Sequence, residues 1–310
     1  MEAVRSPRHG AALHFEGTGM AGETRYEFGA NWQSYARRAL NEERIAHAVS
    51  SLRDYLGVEQ LRGLRFLDIG CGSGLFSLAA LRLGAARVES FDYDPQSVAT
   101  ALELRSRFGI ARECWHVRRG SVLDPEFMAT VESTDIVYSW GVLHHTGRMW
   151  DAIDAAATRV RPGGAFAISI YNRVDRFPDS SRMWWHLKRA YTSSPGPVRR
   201  LMEGVYIGNF MLTRLVTLRN PLKPMLDREG AGRRGMDFLH DVRDWLGGFP
   251  YEYATSGEVL EHVRGRSGYE LVKLVNWEGN ACNEFLFRRA DGPVRADAAD
   301  REDAGSRSRP

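Results

Sequence analysis

Leu67-Asp68-Ile69-Gly70-Cys71-Gly72-Ser73-Gly74-Leu75 is the stretch on which the fold turns. It ends a short apolar run, Arg65 to Ile69, and opens a helical pattern from Leu75 to Leu83 that Gly84 stops. Glycines between a strand and a helix let the chain turn tightly and let a ligand approach the main chain without Cβ obstruction. The spacing discriminates between ligands. A dinucleotide fingerprint, GxGxxG, would need its third glycine at position 75, which is Leu; the glycines stand at 70, 72 and 74. Asp68 at the same turn would repel a pyrophosphate and suits an uncharged or cationic cofactor. Both observations disfavour an NAD oxidoreductase.

Working outward, strands alternate with helices. Val88 to Asp92 is a second strand and Pro95 to Phe108 a second helix, with Asp94 as N-cap and Pro95 at the first helical position. Cys114–Arg118 and Asp135–Ser139 read as strands three and four. Met149 to Val160 reads as a helix closed by Arg161-Pro162-Gly163-Gly164, and Ala165–Tyr171 as strand five. This alternation predicts a doubly wound parallel α/β sheet. It then lapses for about 80 residues. Ser181–Tyr191 and Val198–Leu218 look helical there, broken by Pro195, Pro197, Pro221 and Pro224. A helix from Gly257 to Arg264 and two strands, Tyr269–Val275 and Asn283–Arg288, complete the pattern as an antiparallel edge hairpin. The expected organisation is a flexible start (1–24), an α/β domain (25–290) with a helical lid or substrate insertion (172–254) between strands five and six, and a disordered tail (291–310).

Composition bounds the rest. The 310 residues are 43% hydrophobic and 26% charged, as expected of an ordinary globular protein rather than a fibre or disordered chain. Three cysteines without a CxxC pair support neither a disulfide framework nor a zinc site. The N-terminus lacks the apolar run of a signal peptide, which makes the cytoplasm the expected location. Lysine stands only at 188, 223 and 273, a bias toward Arg that reads as the coding bias of a GC-rich, bacterial genome. The net charge of +3 is uneven. Residues 172–236 hold 13 Lys and Arg against 5 Asp and Glu, a net of +8, so the remainder stands at −5.

Asp92, about 20 residues past the glycine loop at the end of strand two, can accept two ribose hydroxyls. DIGCGSG, SFDYDP, DIVYSWGVLHH and VRPGGAFAISIYN, in that order and spacing over roughly residues 60–172, closely resemble the class I S-adenosylmethionine-dependent methyltransferases. More distantly the chain resembles bacterial quinone-precursor and small-metabolite methylases. The resemblance implies a seven-stranded sheet of order 3-2-1-4-5-7-6 and S-adenosylmethionine as cofactor. It places Asp68, Gly70, Cys71, Gly72 and Gly74 along the methionine part, Asp92 on the ribose and Tyr93 beside the adenine. Ser121 and Val122 follow strand three, where the family often has Asp and Ala, and Asp124 is a nearby substitute carboxylate. Trp140 falls near the methionine end, and Trp32 in a segment that covers the cofactor.

Methyl transfer from a sulfonium needs positioning more than covalent help, whereas a hydroxyl acceptor needs a base. The candidates are His144 and His145 just past strand four, and His240 with Asp244 one helical turn later. An ordinary packing role competes for each. O-methylation of a small metabolite leads, ahead of N- or C-methylation, a carrier-bound substrate, or a non-catalytic cofactor-binding scaffold. The insertion's charge fits an anionic small-molecule substrate, interfacial contact with a membrane, or a solvated or self-associating surface. The lack of an Asn/Asp-Pro-Pro-aromatic motif after strand four argues against nucleic acid, and no residue pattern suggests a metal.

Overall fold

The computed structural model describes Tyr26, Gly29 and residues 40–177, 179–220, 238–265 and 268–291. The start predicted to be flexible and, past Asp291, the tail predicted to be disordered, together with Trp32, Pro221 and Pro224, lie outside the described residues.

The helices and strands follow in the order α1 (Glu42–Leu56), β1 (Arg65–Ile69), α2 (Leu75–Arg82), β2 (Arg87–Asp92), α3 (Pro95–Arg107), β3 (Trp115–Arg119), α4 (Pro125–Ala129), β4 (Thr134–Trp140), α5 (Met149–Ala157) and β5 (Val160–Tyr171). Then come α6 (Ser181–Ser193), α7 (Gly196–Val216), α8 (Phe238–Gly247), α9 (Ser256–Gly265), β6 (Tyr269–Val275) and β7 (Cys282–Arg289). The strands form one sheet of order β3-β2-β1-β4-β5-β7-β6. β1 to β5 pair in parallel, and β7 runs antiparallel between β5 and β6. That is the predicted order. Strands covered on both faces explain the unbroken apolar runs, because alternate residues enter different cores. Phe66 and Val88 join α1, α2 and α3 on one face; Leu67, Ile69 and Phe91 join α5 and α9 on the other.

α1 was not foreseen, although its signals are present. Asn41 caps it by accepting from the Arg44 N–H, Gly57 closes it in the left-handed region, and Ile45, Ala48, Leu52, Tyr55 and Leu56 form its buried face. Tyr55 anchors it: the buried hydroxyl reaches the carbonyls of Ile168 on β5 (2.7 Å) and Phe285 on β7 (3.0 Å). Tyr55→Phe is expected to lower unfolding stability by about 1–2 kcal/mol, checked by denaturant titration, since it removes a buried donor without opening a large cavity.

Two boundaries differ from expectation. Strand five starts at Val160, not Ala165, so Arg161-Pro162-Gly163-Gly164 belongs to β5 and α5 stops at Ala157. Pairing of Thr134 with Val160, followed by a register shift, admits the Pro-Gly-Gly run at the strand's exposed start. Pro197 does not break a helix; it lies in the first turn of α7, where its missing N–H would be unsatisfied anyway.

The insertion builds its own small core. Tyr171, Trp184, Tyr191, Val242, Leu246 and Tyr251 are buried together there. Lys188, fully buried, donates to the Trp245 carbonyl and stands 3.9 Å from the Trp245 ring centroid. Thr192 Oγ1 donates to the Gly247 carbonyl at 3.0 Å. These two bonds fasten the last carbonyls of α8 to α6.

Candidate active site

A cavity of about 510 Å³ opens at the carboxyl ends of β1, β2 and β4, where an open α/β sheet offers its crevice. The glycine loop forms its floor. Gly70 N–H and Cys71 N–H both donate to the Phe91 carbonyl, at 2.8 and 3.1 Å, which ties the loop to β2. Gly70 has φ +73°, and a Cβ there would lie 2.3 Å from Val142 Cγ1, so both conformation and space require glycine.

Asp92 is held from two sides. Its Oδ2 accepts from Gly72 N–H and its Oδ1 from Asp94 N–H, both at 2.9 Å. Burial outweighs these bonds and lifts its pKa to about 6. Asp94 takes the predicted capping role, accepting from Gln96 N–H at 2.8 Å.

Asp68 also faces the cavity, 3% exposed, and burial lifts its pKa to about 7 despite a 2.5 Å bond from Ser77 Oγ. Ser77 spends its proton there, so Ser90 Oγ donates to Ser77 Oγ (2.7 Å), and Trp115 Nε1 donates to Ser90 (2.8 Å). This polar chain through β1, α2, β2 and β3 was not foreseen; its members are far apart in sequence and meet only through strand pairing. An acid whose folded pKa is raised holds a proton that the unfolded chain has already released. Stability therefore falls as pH rises from about 4 to about 7. Asp68→Asn is expected to raise the cofactor-free melting temperature by about 5 °C at pH 8 and by nothing near pH 4, read by calorimetry.

Of the other predicted cofactor residues, Cys71, Gly72, Tyr93, Ser121, Val122 and Trp140 line the cavity. Burial, with the Asp92 carboxylate next, raises the Cys71 thiol, which makes it a packing group rather than a nucleophile. Gly74 does not line the cavity. It precedes α2 at φ +79°, and a Cβ there would lie 2.8 Å from the Trp115 ring, so backbone conformation and packing both demand glycine. Asp124 is likewise away from the wall, capping α4 through the N–H groups of Glu126 and Phe127.

The histidines separate. His144 is fully buried behind the wall, its ring 4.1 Å from that of Tyr171 and its Nδ1 accepting from Tyr171 N–H. Unlike His145, it does not line the cavity. His145 lines the cavity, and its Nδ1 lies 2.7 Å from the Pro250 carbonyl. A carbonyl only accepts, so Nδ1 carries the proton and Nε2 is the basic nitrogen of the neutral ring. Gly248 packs against this ring: a Cβ there would lie 2.8 Å from His145 Cε1. Asp244 lines the cavity and is 7% exposed. His240 lies on α8 with Asp244, but its side chain, like that of Asp241, lies outside the described residues. Tyr26 on the same wall was not foreseen; burial and then the Asp244 carboxylate raise its hydroxyl.

The described cavity wall holds four carboxylates, Asp68, Asp92, Asp94 and Asp244, and no Lys or Arg. A pyrophosphate would be repelled. An S-adenosyl group, with hydroxyl donors, an ammonium and a sulfonium, suits such a wall. By contrast, the anionic small-molecule substrate read from the insertion's charge finds no cation on it.

Residues 38–204, more than half of the chain, match the family model described as "Methyltransferase domain". The chain belongs to this methyltransferase family. The strand order places it in class I of the S-adenosylmethionine-dependent methyltransferases, whose cofactor is S-adenosylmethionine. The methyltransferase is 36% identical over 124 residues to a ubiquinone biosynthesis O-methyltransferase from Methylobacterium sp. (strain 4-46), covering 40% of this chain and 47% of that one. It is 36% identical over 118 residues to a ribosomal protein L11 methyltransferase from Methylococcus capsulatus, covering 37% and 36%. The matches thus span less than half the length of these relatives. Among solved structures, magnesium protoporphyrin IX methyltransferase from Synechocystis PCC 6803 aligns with a TM-score of 0.49 at 14% identity, covering 84% of this chain and 94% of that one.

Proposed function

We propose that this methyltransferase methylates a hydroxyl oxygen of a small molecule, with His145 as the base. The observation that carries this reading is the contact of His145 Nδ1 with the Pro250 carbonyl, which assigns the proton to Nδ1 and leaves Nε2 basic on a ring that lines the cavity. The Methylobacterium relative, an O-methyltransferase by name, supports the same reaction class.

When bound, S-adenosylmethionine supplies an activated methyl group. The chain's own residues do the rest. Asp92 would accept hydroxyls of the ribose, Asp68 would offer a carboxylate to the amino acid part, and Tyr93, Ser121 and Val122 would hold the adenine. Trp140, whose Nε1 donates to Glu284 (3.2 Å), forms a rigid apolar wall that excludes water. Proton removal by Nε2 turns a weak neutral oxygen into a competent nucleophile, and the Pro250 carbonyl stabilises the imidazolium that results. With carboxylates on the described wall, the acceptor is neutral or cationic at its reacting end.

The test is release of S-adenosylhomocysteine across a panel of phenols, aliphatic alcohols and amines. Turnover is expected with hydroxyl acceptors; turnover confined to amines would overturn oxygen as the methylated atom.

A further inference from the structure

The cations of the insertion have no described place in the cavity, and its longest helix has a face with no role in the fold. α7 turns one side inward. Met202, Tyr206 and Ile207 pack on the insertion's core, and the Phe210 ring meets that of Phe238 at 5.5 Å. The opposite side is open. Leu201, Val205, Leu212, Leu215, Val216 and the following Leu218 are between 58% and 96% exposed, and no residue of the helix is buried. At helical spacing the first five form one stripe about 100° wide.

Charge flanks this stripe rather than sharing it. From 196 to 220 the cations are Arg199, Arg200, Arg214 and Arg219, and the lone acid is Glu203. Glu203 is turned inward, accepting from Tyr191 Oη (2.8 Å) and Arg243 Nε (3.1 Å), with 13% of its side chain exposed. Arg199 is turned back onto α6, donating to the carbonyls of Tyr191 (3.1 Å) and Thr192 (2.5 Å), and Arg214 donates to the Asn220 carbonyl (3.0 Å) beside the Phe210 ring, so the outer face is apolar with the exposed Arg200 and Arg219 at its two ends.

Leu218 adds an independent observation. It closes the helix in the left-handed region at φ 56°, with its own N–H on the Leu215 carbonyl and the Arg219 N–H on the Arg214 carbonyl. This closing position favours Gly or Asn. A leucine there is disfavoured by its backbone and, at 96% exposure, by its hydration. Nothing inside the described fold compensates either cost.

We propose that this face of α7 docks on an anionic membrane surface, its leucines and valines entering the acyl boundary and the flanking Arg200 and Arg219 meeting lipid phosphates. No described helix is long and apolar enough to cross a membrane, which leaves the interfacial mode. A second copy of the chain fits less well, because pairing two such faces brings arginines together without an exposed acid between them. The inference does not depend on the methyl-transfer reading.

The test is co-sedimentation of the full chain with vesicles of phosphatidylcholine plus phosphatidylglycerol, against phosphatidylcholine alone. Binding is expected only to the anionic vesicles, weakening as salt rises. Leu218→Gly relieves the backbone and keeps the fold, and is expected to weaken partitioning about tenfold. Leu212→Asp is expected to weaken it further, and Arg200→Glu with Arg219→Glu by at least about fivefold per arginine. Unchanged affinity for S-adenosylhomocysteine confirms that each variant is folded. Absence of binding to both vesicles overturns the proposal, as does binding indifferent to Leu212→Asp and Leu218→Gly. A lipid-free dimer that Leu212→Asp dissociates assigns the face to a second copy instead.

Discussion

Asp92→Ala is expected to weaken S-adenosylhomocysteine binding by about 10²- to 10⁴-fold, measured by titration calorimetry. The magnitude follows from the loss of a carboxylate acceptor for two hydroxyls, at about 1.5–3 kcal/mol for each charge-assisted bond. The substitution also releases the N–H groups of Gly72 and Asp94, so it loosens the glycine loop. Asp92→Asn separates the two effects. It keeps one acceptor for the backbone but halves the capacity for hydroxyls, and its loss is expected to fall between those of wild type and alanine. The ionised carboxylate is the binding form, and burial has brought its pKa up to about 6. Affinity in the wild type is therefore expected to decline as pH falls through about 6, and the asparagine variant to lose that component while keeping the dependence set by Asp68 near pH 7. Unchanged affinity in the alanine variant would remove Asp92 from the cofactor site.

His145→Ala is expected to lower kcat by about 10²- to 10⁴-fold, the range of general base catalysis, with S-adenosylhomocysteine affinity within twofold of wild type. His144→Ala makes the contrast. That ring is buried against Tyr171, so its loss is expected in stability, at about 2–4 kcal/mol, before it is seen in chemistry. A kcat unaffected by His145→Ala would assign proton removal to another group, and His240 on α8 would then be the next residue to replace.

The adjacent histidines mark where sequence reasoning stops. In the sequence they are equivalent: two imidazoles just past strand four. A single turn of 3-10 helix over Leu143–His145 sends one behind the wall and the other onto it. The partner that gives His145 its tautomer is a carbonyl 105 residues away, and carbonyls carry no side-chain signature. The glycine loop, Asp92 and the strand order were legible because their signals are local: a glycine at a required turn, an acid at a strand end, alternating apolar runs. Gly74 shows the limit of motif spacing. It stands in the motif, yet its neighbour is the Trp115 ring rather than the cavity. The chain from Trp115 through Ser90 and Ser77 to Asp68 was hidden for the same reason as the histidine partner, since three strands must pair before its members meet.

The carbonyl on His145 belongs to the insertion, at the turn that Lys188 and Thr192 fasten to α6. On the proposed reading, with His145 as the base, recognition and proton removal therefore depend on one inserted unit. An ancestor exchanging the inserted helices to accommodate a new acceptor could not have done so freely. Any replacement lacking a carbonyl at that turn would leave the base free to flip its protonated nitrogen, and the new specificity would arrive in a slow enzyme. Among divergent relatives carrying His at this place, the geometry of the turn after α8 should accordingly drift less than the helices that lead to it.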